Sequence, residues 1–298
     1  MKLAFIFNHS HEPAWSTPGG LSTSLKSLGN TVDHYDLKKP NEVLALSRAH
    51  EKYDAVCFWE AGTIVKEIAK IWHKDNFKHT LMLADSGDDP QIMKYNLGHT
   101  IPADVVLTPD FECNEVYHKL GKKSYWFTHW GDESTWQRSE QINSGIVSST
   151  AGFRNGMWKD CMSLLVNKLQ NKFVNPRLNK QEYISPEENS VLYSKSDIIV
   201  QVSSNKEITR RLFEASICER IVVADRLHAN KNLDKCLIEN EHIVLYDSPE
   251  ECVEKVFWLL NNPKIRQKFS KQAYDHVSKN HSAKARAIQL LSIIKENL

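Results

Sequence analysis

No stretch of this 298-residue chain holds the eighteen or so consecutive apolar residues that a membrane-crossing helix needs. The apolar start, Leu3 to Phe7, meets His9 and His11 too early to form the core of an export signal, so a cytoplasmic location is expected. Charge of one sign is also missing. Thirty-eight Lys and Arg against 37 Asp and Glu leave a formal +1, which excludes a global field that recruits nucleic acid or an anionic bilayer. The six cysteines (57, 113, 161, 218, 236 and 252) are scattered without a C-x-x-C pair. That spacing argues against a zinc site or a disulfide framework and for a reducing compartment. Neither a G-x-G-x-x-G nor a Walker loop occurs, so ordinary dinucleotide or ATP binding is not indicated. Internal repeats and low-complexity segments are absent too.

What remains is an ordinary soluble composition, 41% hydrophobic and 25% charged, on a length that suits two domains of about 150 residues. Short apolar runs alternate with amphipathic stretches from end to end. Strands are expected at 3–7, 31–37, 55–59, 80–84, 105–108 and 124–128, then at 145–149, 172–175, 198–202, 221–224 and 242–246. Most are almost continuously apolar, the mark of parallel strands buried on both faces. Between them lie helical stripes such as Leu21, Leu25 and Leu28, or Val253, Phe257 and Leu260. A polar, aperiodic stretch from Asp132 to Ser144 separates two series and reads as a linker. The expectation is α/β: two Rossmann-like, doubly wound parallel-sheet domains, 1–137 and 138–281, facing across a cleft. A helix over 282–298 could cross back to the first domain.

In open parallel sheets ligands bind beyond the carboxyl ends of the strands, so the loops there are the place to search. After the first strand, Gly19 and Gly20 precede a helix and could let backbone amides approach an anion; a plain loop-to-helix turn is the alternative. After the fourth comes Asp85-Ser-Gly-Asp88-Asp89-Pro90, whose carboxylates could act as a base or hold a cation, or simply cap a helix. After the sixth lies His129, a proton relay or a structural hinge. In the second series Arg154 and Lys159, five apart behind a glycine, could clamp a diphosphate; a solvated turn is the alternative. The segment Glu207-Ile-Thr-Arg-Arg-Leu-Phe-Glu214 puts Glu207, Arg211 and Glu214 on one face if it is helical throughout. Carboxylates for ribose hydroxyls and an arginine for phosphate would suit a nucleotide diphosphate; an exposed helix with a Glu207–Arg211 ion pair is the plainer reading.

With these segments in place the chain resembles the GT-B glycosyltransferases, in particular the spore-maturation CgeB-like branch and the broader family-four enzymes. The resemblance rests on Thr209-Arg-Arg211-Leu-Phe-Glu214-Ala, similar to a T-x-R-x-F-E-A motif, and on the run from Ser185 to Val200. The Leu237–Glu251 stretch, the Asn280-His281-Ser282 region and the loops at Asp85–Pro90, Ala103–Thr108 and His129–Asp132 add to it. It implies that Glu214 holds the ribose of a nucleotide-sugar, expected to be a UDP-sugar, with Arg211, Arg154 and Lys159 around its diphosphate. A hexosyl or pentosyl transferase with no obligatory metal follows. Asp85 or Asp88 would be the base if the anomeric configuration inverts. The chain departs from the family where Cys-Gly usually closes the F-E-A helix, since it has Cys218-Glu219; and Glu207 and Glu214 are seven apart, not eight. The acceptor is open. One candidate is a hydroxymethylated pyrimidine in phage DNA, met by Lys119, Lys122 and Lys123 with Trp126 and Trp130; a glycan or small molecule is another. A nucleotide-sugar 2-epimerase and a non-catalytic sugar-nucleotide binder are the rival functions.

Overall fold

A computed structural model describes residues 1–13, 16–59, 66–86, 90–140, 143–150, 156–178, 184–203 and 206–298. The chain divides into two units, Met1–Thr128 with Ala283–Leu298, and His129–Ser282.

In the first unit the strands are β1 (Lys2–Phe7), β2 (Thr31–Asp36), β3 (Ala55–Phe58), β4 (Leu81–Asp85), β5 (Val105–Thr108) and β6 (Lys123–Trp126). They form one parallel sheet in the order β2-β1-β3-β4-β5-β6. The central strands β3 and β5 are buried throughout, whereas edge strand β2 buries only Val32 and Asp36. Full burial thus marks the centre of the sheet and partial burial its edge. The helices are α1 (Thr17–Ser27), α2 (Pro40–Arg48), α3 (Lys66–Ile71), α4 (Pro90–Thr100) and α5 (Phe111–Lys119).

The second unit repeats the wiring. Its strands are β7 (Val147–Ser148), β8 (Phe173–Val174), β9 (Ile198–Gln201), β10 (Ile221–Asp225) and β11 (Val244–Tyr246), parallel in the order β11-β10-β9-β7-β8. Its helices are α6 (Gly156–Leu169), α7 (Pro186–Ser194), α8 (Arg210–Ile217), α9 (Pro249–Asn261) and α10 (Pro263–Asn280). Two of them start on the same tetrapeptide. Ser185-Pro-Glu-Glu caps α7, with Ser185 Oγ accepting from Glu188 N at 3.1 Å and the Glu188 carboxylate returning to Ser185 N. Ser248-Pro-Glu-Glu caps α9 in the same sense, Ser248 Oγ accepting from Glu251 N at 3.1 Å. Each cap occupies otherwise orphaned amides of the first turn.

All eleven expected strands are present, with ends that differ from the expected ones by at most two residues. The polar stretch after Asp132 is not a free linker. Trp136 is buried and stacks on Tyr193 at 5.8 Å, and the buried Arg220 donates to the Ser139 and Glu140 carbonyls at 3.1 and 2.9 Å. The last helix, α11 (Ala283–Asn297), belongs to the first unit, where Arg286 Nε donates to the Thr128 carbonyl at 3.0 Å.

Candidate functional site

In each sheet the strand order reverses once, between β1 and β3 in the first unit and between β7 and β9 in the second. The carboxyl ends beside such a reversal form a crevice where ligands settle. In the second unit those ends are Ser149 and Thr150 after β7, and Val202 and Ser203 after β9; all four are buried.

Beyond β9 the chain does not enter a helix at once. Lys206 takes a left-handed φ of +55°, and Thr209 is the extended N-cap at φ −93°, ψ 154°, so α8 begins only at Arg210. Ile208 and Thr209 turn inward and are buried. Glu207 therefore stands before the helix and does not share a face with Arg211 and Glu214, which corrects the sequence expectation. The extended backbone of Thr209, inside the expected segment, is what keeps the helix from reaching back to Glu207.

Lys206 is held in that turn by a carboxylate that sequence reasoning passed over. Asp225, the buried last residue of β10, accepts from Lys206 Nζ at 2.7 Å, from Ser203 N at 2.7 Å and from Ser203 Oγ at 2.6 Å. Its signal was an acidic residue closing the apolar run Ile221–Ala224 at the carboxyl end of a strand.

On α8 the ion pair is Arg210–Glu214, at 3.7 Å and i, i+4, rather than Glu207–Arg211. The Arg210 guanidinium also lies 5.6 Å from the centre of the Trp130 ring. Glu214 faces inward and is 8% exposed, which is unusual for an acid on so short a helix. Burial pushes its carboxyl above the ordinary range, against the pull of the Arg210, Arg211 and His129 charges. The structure thus brings His129, Arg211 and Glu214 together, with Arg210 as an unforeseen fourth. Tyr193 links the group to β7: its hydroxyl bonds Thr150 Oγ1 at 2.7 Å, and its proton is held by burial and by the neighbouring Glu214 charge, with Arg211 opposing.

The segment that carries His129 is locked against α8. Gly131 N donates to the His281 carbonyl at 3.0 Å, and a β-carbon on Gly131 would come within 2.3 Å of Ile217 Cγ1 and 2.8 Å of the Phe213 carbonyl. His281 in turn stacks on Phe213 at 5.1 Å. Lys159 lies in the first turn of α6 with its side chain exposed. Arg154 and Asp88 lie outside the described residues.

In the first unit the glycine pair serves its own loop. Gly19 N donates to the Ser16 cap at 3.0 Å, and Gly20 N to the Ser16 carbonyl at 3.0 Å. A β-carbon on Gly19 would meet the Pro13 and Glu12 carbonyls at 2.2 and 2.3 Å, so the missing side chain admits the chain itself, not an anion. Asp85 closes β4, and its carbonyl accepts from His99 Nε2 at 2.8 Å. Of the three lysines expected to face DNA, Lys122 Nζ donates to the Ile101 and Ala103 carbonyls, Lys123 lies 4.0 Å from Glu296, and Lys119 is exposed. Trp130 is 2% exposed, too deep to stack on a base.

Comparison with known proteins bears on this arrangement. A family model described as "Glycosyl transferase-like" matches residues 121–292. No curated protein matches in sequence. Solved structures are similar in fold at low identity. HepE (Alr3699) of Anabaena, in complex with UDP and glucose, is 10% identical with a TM-score of 0.68, over 99% of this chain and 100% of that one. An alpha-glucosyltransferase in complex with UDP-glucose and DNA containing an abasic site is 13% identical, TM-score 0.68, over 99% of both chains. The UDP-GlcNAc 2-epimerase from Neisseria meningitidis, bound to UDP-GlcNAc, is 12% identical, TM-score 0.61, over the whole of both.

Proposed function

The chain belongs to the glycosyl transferase-like family, and from that premise we propose that it moves a hexosyl group from a UDP-sugar to an acceptor hydroxyl. The observation that carries this reading is the buried Glu214, ringed by the Arg210, Arg211 and His129 charges at the carboxyl end of the second sheet. A buried carboxylate accepts hydrogen bonds from ribose hydroxyls, and the flanking guanidinium of Arg211 suits the diphosphate that follows the ribose. Lys159 and Arg154, at the start of α6 and just before it, would complete the cationic cradle.

In the reaction the bond between the anomeric carbon and the donor's outer phosphate oxygen breaks, and the acceptor oxygen takes that carbon. The acceptor proton passes to a base, for which Asp85, Asp88 and His129 are the candidates. Negative charge growing on the departing diphosphate is stabilised by Arg211, Arg154 and Lys159, which is where such a site gains its rate. Asp225 positions rather than reacts: by holding Ser203 and Lys206 it fixes the loop that delivers α8.

Within the family, the Thr209–Ala215 motif supports a place in the CgeB-like branch. For the acceptor, the engagement of Lys122 and Lys123 and the burial of Trp130 favour a glycan or small-molecule hydroxyl over DNA. The deciding experiment incubates the protein with a panel of nucleotide-sugars, with and without sugar acceptors and hydroxymethylated DNA, and measures released nucleoside diphosphate. Acceptor-dependent UDP release is expected. Sugar conversion without any acceptor would identify an epimerase instead, and donor consumption that survives Arg211→Ala with Glu214→Ala would remove the assignment.

A further inference from the structure

Two adjacent arginines stand at the start of α8, and their surroundings give them different work. Arg210, the first residue of the helix, sits one turn before Glu214, and the two side chains are only 22% and 11% exposed. Two contacts commit its guanidinium. On one side it lies 5.6 Å from the centre of the Trp130 ring, a cation–π distance. On the other its Nε stands 3.7 Å from Glu214 Oε1. Trp130 is itself fixed: it is 2% exposed and precedes Gly131, whose N donates to the His281 carbonyl at 3.0 Å.

A separation of 3.7 Å is too long for a hydrogen bond but well within the reach of charge. Glu214 thus gains a counter-charge without giving up an oxygen, and among the described residues no hydrogen bond occupies its carboxylate. An ionised carboxylate is acceptor-only, with both oxygens open to hydroxyl donors, whereas a protonated one carries its proton on one of them. Burial drives Glu214 toward the protonated form, and Arg210 is the foremost charge opposing it, ahead of Arg211 and His129. The other titratable groups around it are Cys218 at the end of the same helix and Tyr193 on α7. Burial holds the proton on both, so neither adds a competing charge.

Resting on the nucleotide-sugar reading of this site, we propose that Arg210 is a positioning residue. Held on Trp130, it supplies the counter-charge that lets Glu214 accept the ribose hydroxyls, and it takes no part in binding phosphate. Of the two arginines only Arg211 is left for the diphosphate.

The test is calorimetric titration with UDP and with 2′,3′-dideoxy-UDP, which keeps the diphosphate and lacks both ribose hydroxyls. Arg210→Met should weaken UDP about tenfold and leave dideoxy-UDP within about twofold. The loss for UDP should grow as the pH is lowered from alkaline toward neutral, because without Arg210 the carboxyl takes up its proton at a higher pH. Titration of the diphosphate itself is common to both proteins and cancels in the ratio. Arg210→Lys keeps the charge and should recover most of the affinity. Arg211→Ala should weaken both ligands alike.

Arg210→Met leaves a buried charge without its partner, which could unfold α8. The comparison is therefore repeated in the Glu214→Gln protein, where no charge is stranded and Arg210→Met should leave UDP affinity unchanged. Equal losses for the two ligands, a loss that ignores pH, or a full loss in the Glu214→Gln background would overturn the positioning role and leave the donor site standing. Failure of the unaltered protein to bind UDP would instead remove the donor-site reading itself, so the two failures are told apart.

Discussion

Glu214 and Glu219, five residues apart, each cost the unliganded protein stability, for different reasons. The Glu214 carboxyl is raised by burial, so the native state favours its protonated form. A group whose folded value is raised contributes stability below its unfolded value and loses it as pH rises through the folded one. At pH 7 the buried charge is thus a burden on the unliganded protein, of the kind functional residues impose. Glu214→Gln is expected to raise the urea midpoint at pH 7 while weakening UDP by roughly ten- to a hundredfold, the loss of one or two charge-assisted bonds; calorimetry and urea melts on one preparation check both. Glu219 stands where the family resemblance implies glycine. It closes α8 in a left-handed conformation, φ +58°, with Glu219 N donating to the Ser216 carbonyl at 2.9 Å and Arg220 N to the Ala215 carbonyl at 3.0 Å. That is a Schellman closure with a side chain where one is disfavoured. The half-exposed Arg138 pairs with the Glu219 carboxylate, a partner worth little in solvent. Glu219→Gly should therefore raise stability by about 0.5–1 kcal/mol, whereas Glu219→Ala, which keeps the conformation and loses the pair, should not.

Among the elements, α8 depends strongly on its neighbours, because it is eight residues long and makes no side-chain N-cap bond. Its hold on the His129 segment is the close approach at Gly131. Gly131→Ala forces a shift there, and overpacking of that sort costs about 1–3 kcal/mol. Lower thermal stability together with weaker UDP binding is the expected pair of effects, read by calorimetry and titration. The same helix marks the limit of what could be read from sequence. Strands were readable because burial on both faces writes itself as unbroken apolar runs, so even the two-residue β7 and β8 stood inside expected segments. The Thr209–Ala215 motif located the helix. Its start was not readable, because nothing in the segment announces that Thr209 is extended; the turn before it is held through the bond from Lys206 to Asp225, nineteen residues away in sequence. The Gly19–Gly20 pair misled for a related reason: glycine reports a close approach without saying what approaches. Long-range partners, unlike periodicity, leave little mark on local composition.

For the molecule as a whole, both units bury histidine in the neutral form, and this sets its response to acid. In the first unit His99 is fully buried, stacks on Phe58 at 4.9 Å and donates from Nε2 to the Asp85 carbonyl. Its Nδ1 has no hydrogen-bond partner among the described residues, so a proton there would be stranded. Burial pushes its pKa down to about 4, against the Asp85 bond. In the second unit His242 stacks on His276 at 4.2 Å, and burial followed by the His276 charge lowers it as well. The unfolded chain takes up these protons below about pH 6.5, whereas the native state takes the His99 proton only near pH 4. Stability from His99 is therefore complete above pH 6.5 and is lost as pH falls from there toward 4, by roughly 3 kcal/mol in total. Urea midpoints measured between pH 7.5 and 4.5 should fall steadily across this window. His99→Gln keeps a donor for the Asp85 carbonyl but does not titrate. It should start lower at pH 7.5, because the stacking on Phe58 is lost, and show a visibly flatter slope with pH. An unchanged slope in that variant would mean that the acid sensitivity originates in the other histidines, His242 first among them.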